Sequence, residues 1–223
     1  MSHTLHEMKL LVLRAVASTS QAVHKFNLIG REGMPGLVEG YMRSLTPDER
    51  TLAVRAFDQL EADDLIRPTY ADLTEPENWV KITDKGRQAL ESGLLDQLDH
   101  ALCSISPHLL ELRRGAWSAL ASSQPDSFRQ AAHSAREMID QTLREGAPGN
   151  ATRKDRLKFL MKRFRGDVSE SDLSIADSTI DLVLAIDNKL IAMSHARSSS
   201  DPSEVQRCVR AAEDALRYVL VAP

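Results

Sequence analysis

Apolar residues along this chain recur mostly at steps of three and four, the spacing that puts one face of a helix inside a core. Leu5, Met8, Leu11, Val12, Val16 and Val23 predict one long helix or two short ones over residues 4–26. GREGMPG (30–36) reads as a turn and LVEGYMRS (37–44) as a short helix. Thr46 then offers a cap, Pro47 suits a first helical position, and Glu49 completes a capping box three residues on. Behind them Leu52, Ala53, Ala56, Phe57 and Leu60 form an inward face. The pattern changes next: LIRPTY (65–70) has strand character, TEPEN (74–78) is a turn, WVKIT (79–83) alternates as a second strand, and DKGRQALESG (84–93) opens another helix.

From residue 94 onward only helical spacing remains. LLDQLDHALCSI (94–105) is interrupted at Ser106-Pro107 and followed by HLLELRRGAWSALASS (108–123), with Leu109, Leu112, Ala116, Trp117 and Leu120 inward. Asp126 is a candidate cap for a helix through residue 145. ATRKDRLKFLMKRFR (151–165) is a short basic helix, residues 173–197 a long one, SSSDP (198–202) a connector, and residues 203–221 a closing helix. Five or six antiparallel helices with short connections make a bundle. The chain therefore reads as mainly α, with a mixed domain over 1–93 and a helical bundle over 94–223.

Composition narrows this picture. An apolar share of 42% supports a real core, and an aromatic share of only 4% favours Leu- and Ala-rich helix packing. The formal net charge is −4, and residues 1–95 hold 11 basic and 14 acidic side chains against 17 and 18 in residues 96–223. Neither half is basic, so any polyanion surface must be a local patch. Cys103 and Cys208 have no zinc or disulfide spacing and read as buried thiols. No signal peptide or membrane-spanning run is evident, so a cytoplasmic location without membrane contact is expected. Glycine-rich phosphate loops, metal-spaced Cys or His clusters and nucleophile elbows are absent, which leaves no cofactor and no metal in the expectation.

Two stretches carry candidate chemistry. In DSFRQAAHSAREMIDQTLRE (126–145), Phe128, Ala131, Ala132, Ala135, Met138, Ile139, Thr142 and Leu143 form the buried face. Beside it Arg129, His133, Arg136 and Asp140 sit at steps of four, three and four, one polar row. Metal-free RNA cleavage needs a group to move the 2′-hydroxyl proton and a cation to balance the crowded phosphate, and His and Arg suit those tasks. Arg129, His133, Arg136 and His195 are thus the candidate catalytic residues, with Asn188 and Arg197 as possible companions of His195. The plain alternative is a boundary histidine and structural ion pairs. The second stretch is basic: Arg153, Lys154, Arg156, Lys158, Lys162, Arg163 and Arg165 face one acid, Asp155, while Leu157, Leu160, Met161 and Phe164 form the apolar stripe. Fanned over an exposed surface, those cations would hold a phosphate backbone. Exposed aromatics for base stacking are not expected among them.

Two strands directly after a helix, then a T-x-x-G-R-x-x-L helix start at Thr83, resemble the winged helix-turn-helix of bacterial regulators over residues 5–92. That resemblance implies Arg50 and Arg55 on the recognition helix and Arg67 on the wing, joined there by Lys81, as nucleic-acid contacts. Acidic neighbours such as Asp48, Asp58, Asp72 and Glu75 leave protein docking or dimerisation open as the alternative. The run SPHLLELRRGAWSAL…FRQAAHSAREMIDQTL, then TRKDRLKFL, then IDNKLIAMSHAR, resembles HEPN-like (higher eukaryote and prokaryote nucleotide-binding) and predicted Piwi-associated nuclease domains of bacterial defence loci. It implies a nucleic-acid-associated protein, RNA or DNA undecided, acting as a homodimer or within a defence complex, and in active members a metal-independent ribonuclease. The usual active motif of that group is Arg, four to six residues, then His. Here three residues separate Arg129 from His133, and Arg197 follows His195 instead of preceding it. A non-catalytic DNA-binding regulator with a dimerising bundle, or a docking subunit of an antiviral effector, are the other functions the sequence leaves open.

Overall fold

The computed structural model describes residues 3–70, 75–122, 124, 126–147, 149, 151–166, 170–195 and 201–221. Arg197 and Asp72, both named above, lie outside the described residues. The chain is mainly helical and divides into two compact units, Met1–Asp96 and Gln97–Pro223.

In the first unit, α1 (Leu5–Ala17) starts in a capping box between Thr4 and Glu7. It stops where Ser18 and Thr19 turn their hydroxyls onto the carbonyls of Ala15 and Val16, at 2.7 and 2.8 Å. A two-residue strand follows, β1 (Val23–His24), then α2 (Lys25–Ile29). The helix expected over 37–44 is only a 3-10 turn, Leu37–Glu39, because Gly40 and Tyr41 both take left-handed φ, 59° and 61°. α3 (Pro47–Ala62) begins at Thr46 with the capping box read from the sequence. β2 (Ile66–Pro68) and β3 (Trp79–Ile82) are antiparallel, and β1 joins on the other side of β3, giving the order β1-β3-β2. The sheet thus has three strands where sequence spacing suggests two, since a two-residue strand is too short to show alternation. α4 (Asp84–Ser92) closes the unit. Met8, Val12, Leu13, Ala53, Phe57, Leu60, Leu65, Ile66, Val80 and Ile82 form its core. Gly86 is required here: a Cβ would lie 2.0 Å from the Leu65 carbonyl oxygen, so only glycine lets α4 approach β2.

The second unit holds α5 (Gln97–Ile105), α6 (Pro107–Ala121), α7 (Ser127–Gly146), α8 (Arg153–Arg165), α9 (Glu170–Ser194) and α10 (Pro202–Leu220). α7 packs against each of the other five, and α10 against each as well. The buried face of α7 follows the sequence pattern from Ala131 to Leu143, with Phe128 only half-buried. Val205, Val209, Ala212, Leu216 and Val219 supply the inner face of α10. On α6 Leu109 and Ala116 are buried, but Leu112, Trp117 and Leu120 are only half so. Gly146 lets the end of α7 meet α8, since a Cβ there would fall 2.6 Å from Leu160 Cδ2. No helix among the described residues is long and apolar enough to cross a membrane.

Candidate functional site

The polar row on α7 divides into three kinds of residue. Arg129, exposed, pairs at 3.1 Å with Asp126, whose carboxylate makes this bond and does not cap the helix. His133 is exposed and has no hydrogen bond or ion pair among the described residues. Arg136 is half-buried and reaches Glu137 at 3.3 Å and Asp140 at 3.1 Å, both on its own helix. Asp140 in turn accepts from Arg153 of α8, and Arg153 also bonds Asp187 of α9. The row therefore passes from a surface end, Arg129 and His133, into a charged knot, Arg136, Asp140, Arg153 and Asp187, that ties three helices.

Asp187 is fully buried, and its Oδ1 has no hydrogen-bond partner among the described residues. Burial pushes its carboxyl above the ordinary carboxylate pKa, opposed by the Arg153 guanidinium. Sequence spacing did not single out Asp187, although a signal existed. Val183, Asp187 and Leu190 share one helical face, so an acid stands at a core register and needs a cation. Asp99 repeats the case at the other side of the unit. It is buried, it accepts from Arg113 at 2.6 Å, and Arg113 and Trp117 both donate to Glu213, at 2.8 and 2.6 Å.

Most cations of α8 are already engaged. Arg153 holds the two aspartates, and Lys154 lies 3.7 Å from Asp181. Arg156 donates to the carbonyls of Ala151 and Gly149, at 3.1 and 2.5 Å. Arg163 donates to Gly146 O at 3.2 Å, at the end of α7 where carbonyls lack helical partners. Arg165 donates to Tyr218 O at 3.1 Å and lies over the Tyr218 ring. Lys158 and Lys162 are exposed, and Lys162 has no partner among the described residues. Leu157, Leu160 and Met161 are buried as the stripe predicts, with Phe164 half-buried. One expectation fails: an aromatic does stand among the cations, since Phe159 is 44% exposed.

His195 is exposed at the end of α9, and its backbone N–H bonds Ile191 O. No hydrogen bond or ion pair joins it to His133 among the described residues. Asn188, seven residues earlier, is exposed as well.

In the first unit Arg50 is half-buried and Arg55 and Arg67 are exposed, all without an ion pair among the described residues. Arg67 stands directly across the ladder from Lys81, both exposed. Like charges in that register repel, and no ion pair to a carboxylate relieves them among the described residues. Elsewhere in this unit His3, Glu39 and Glu49 bring ligand atoms within 4.8 Å of one another. Arg43 already donates to both of those carboxylates, at 2.8 Å each, so the cluster has its cation.

Residues 102–151 match a family model described as predicted pPIWI-associating nuclease. This supports a nuclease-like C-terminal part, and the matched segment contains Arg129, His133, Arg136 and Asp140. The curated proteins and the solved structures give no match.

Proposed function

We propose that the C-terminal unit is the nucleic-acid-processing module of a defence-system protein, an RNA-cleaving domain whose proton-transfer group is His133. One observation carries this reading. Within the segment similar to predicted pPIWI-associating nucleases, His133 is exposed and uncommitted, with Arg129 one turn before it and Arg136 one turn after. The pair Arg129–Asp126 is an exposed ion pair, worth about 0–1 kcal/mol, so a phosphate can displace the aspartate. Arg136 is anchored and serves to position the row.

Chemistry follows from those roles. His133 accepts the 2′-hydroxyl proton, the 2′-oxygen forms a bond to phosphorus, and the bond from phosphorus to the 5′-oxygen breaks. Arg129 balances the charge on the crowded phosphate, and a second acid protonates the leaving 5′-oxygen. His195 is our nominee for that acid, contributed by the same chain or by a second copy. A dimer is supported by α9, where Ile175, Leu182, Ala185 and Ala192 leave an apolar stripe exposed. The test is incubation of the purified full chain with single-stranded RNA in the presence of a chelator. Products ending in a cyclic phosphate, lost in His133→Ala and reduced in Arg129→Ala, support the reading. Cleavage unchanged in His133→Ala overturns it.

The second reading rests on the other unit. We infer that helices and a three-stranded ribbon in this order form a winged helix-turn-helix, with α3 as its recognition helix and β2–β3 as its wing. The facing pair Arg67 and Lys81, with Arg50 and Arg55, all four without an ion pair among the described residues, is what favours nucleic acid over a protein partner there. Salt-dependent binding of duplex DNA, weakened in Arg50→Ala/Arg55→Ala, supports it. Equal binding by that variant and the unmodified chain overturns it.

A further inference from the structure

Phe159 is exposed on α8. Leu157, Leu160 and Met161 face the core, which places residue 159 on the opposite side of the helix. Its neighbours one turn away are Asp155, Arg156, Lys162 and Arg163, and Lys158 precedes it. An isolated surface aromatic is ordinary. Here, though, the ring rises from a field of cations in an acidic chain, and those cations are not equivalent. Arg156 and Arg163 spend their donors on the backbone carbonyls of Gly149, Ala151 and Gly146, which holds the guanidiniums still without neutralising them. No carboxylate pairs with Arg156, Lys162 or Arg163 among the described residues, and Asp155 turns its carboxylate to the Thr152 hydroxyl at 2.6 Å. The result is an exposed aromatic face flanked by fixed and flexible positive charge.

We propose that Phe159 is a stacking platform for an unpaired base, with Lys162 and Arg163 holding the phosphates on either side. The occupant is single-stranded nucleic acid. A π face accepts any base, and the cations read only the backbone, so the surface has little sequence preference. Duplexes keep their bases stacked on one another and cannot use the ring. An acidic protein segment would satisfy the cations but leave Phe159 in water. The inference rests on the reading of the C-terminal unit as nucleic-acid-processing, and it gives that unit a strand-holding surface distinct from the residues assigned to cleavage.

The experiment measures fluorescence anisotropy of labelled single-stranded RNA and DNA 12-mers, and of a duplex of equal length, against the full chain over a range of salt. Phe159→Ala is expected to weaken single-strand binding roughly five- to 150-fold, leaving the salt slope unchanged. Phe159→Trp is expected to bind as well and to show quenched indole emission on binding. Lys162→Ala should lower the slope of log K against log salt by about 0.7, the release expected for one single-strand phosphate. Both positions face solvent, and circular dichroism verifies that the fold is kept. Unchanged single-strand affinity in Phe159→Ala overturns the proposal, as does a loss of duplex or polyglutamate binding in that variant as large as its loss of single-strand binding. Cleavage is scored separately. If His133→Ala abolishes cleavage while Phe159→Ala binds normally, the platform fails and the nuclease reading stands. If single strands bind through Phe159 without being cut, the platform stands and the nuclease reading fails.

Discussion

The cations of α8 and those of the α3 and β2–β3 region behave in opposite ways. α8 is the densest basic segment of the chain, yet at least five of its seven cations hold protein atoms, among them Arg153, Lys154, Arg156, Arg163 and Arg165. Arg50, Arg55, Arg67 and Lys81 are scattered among acids in the sequence, yet none has an ion pair among the described residues. The difference comes from how each element is secured. α8 buries only three side chains fully, too narrow a stripe for a 13-residue helix, so its cations reach to carbonyls and carboxylates of α7, α9 and α10. The α3 and β-ribbon elements share a full apolar core, and the ion pairs on α3 use its carboxylates Glu49 and Glu61, which leaves its own arginines out of them. Cation density in a sequence therefore counts charges and does not say which of them also hold the fold together.

The largest effect should come from breaking the knot on the α8 side. Arg153→Ala leaves Asp187 buried without its cation and should destabilise the C-terminal unit by about 3–5 kcal/mol, read by urea denaturation. Arg55→Ala should fall within about 0.5 kcal/mol, since an exposed arginine with no partner removes nothing. Replacing the pair together, as Arg153→Met/Asp187→Leu, should recover most of the loss. A single Arg153→Ala as mild as Arg55→Ala would erase the contrast between the two regions.

Acid should act mainly on the first unit. A hydrogen bond from Arg43, against the opposing cost of burial, holds the Glu49 carboxyl at about 2, with help from Thr46. A carboxylate depressed in the folded state adds stability above its unfolded pKa near 4.5, and that stability is lost as pH falls toward 2. The contribution is on the order of 2–3 kcal/mol. Glu49→Gln should be less stable at pH 7 and should show a flatter stability profile between pH 4.5 and 2 than the unmodified chain. Parallel profiles would assign the acid sensitivity to other groups. Asp187 has the opposite sign. Its raised pKa means the folded state binds the proton more tightly, so that part of stability is greatest at low pH and declines as pH rises through the folded pKa.

How far the sequence led depends on whether a signal is local. Capping at Thr46, Pro47 and Glu49, the breaks at Ser106-Pro107 and after Gly146, and the inner face of α7 all follow from residues within one or two turns, and the structure agrees with them. β1 and the 3-10 turn did not, because each is settled by a tertiary contact or by two adjacent left-handed residues. The row Arg129, His133, Arg136 and Asp140 was legible as a row. That its lower half is tied up was not, since the tie comes from Arg153 and Asp187, 13 and 47 residues beyond Asp140. Phe159 was misread as absent from the surface because an apolar count does not say which apolar residue faces outward. The apolar positions of α8 leave room for three inside, and Phe159 is the one out of phase.

Mid-sized effects separate structural cations from free ones on the two surfaces. Arg163→Ala removes a bond to the last carbonyls of α7 and should cost the C-terminal unit about 1 kcal/mol. Arg67→Ala should keep stability within about 0.5 kcal/mol, as relief of the repulsion from Lys81 is offset by alanine's lower strand propensity, while lowering the salt slope of DNA binding by about 1. If Arg163→Ala changed binding alone, the cations of α8 would be as free as those of the ribbon.

The smallest effect is also the sharpest, because its two readouts move in opposite directions. Lys81 stands directly opposite Arg67 across β2–β3, and neither has an ion pair among the described residues. Such a pair is destabilising by about 0.2–1 kcal/mol, so Lys81→Thr, which keeps strand propensity, should make the first unit slightly more stable. In the unbound chain the two cations repel one another. A bound phosphate relieves this repulsion, and the loss of Lys81 should therefore weaken duplex binding while it raises the denaturation midpoint. If Lys81→Thr gained stability and kept full affinity, Lys81 would not contact phosphate, and the comparison between the two surfaces would rest on structure alone.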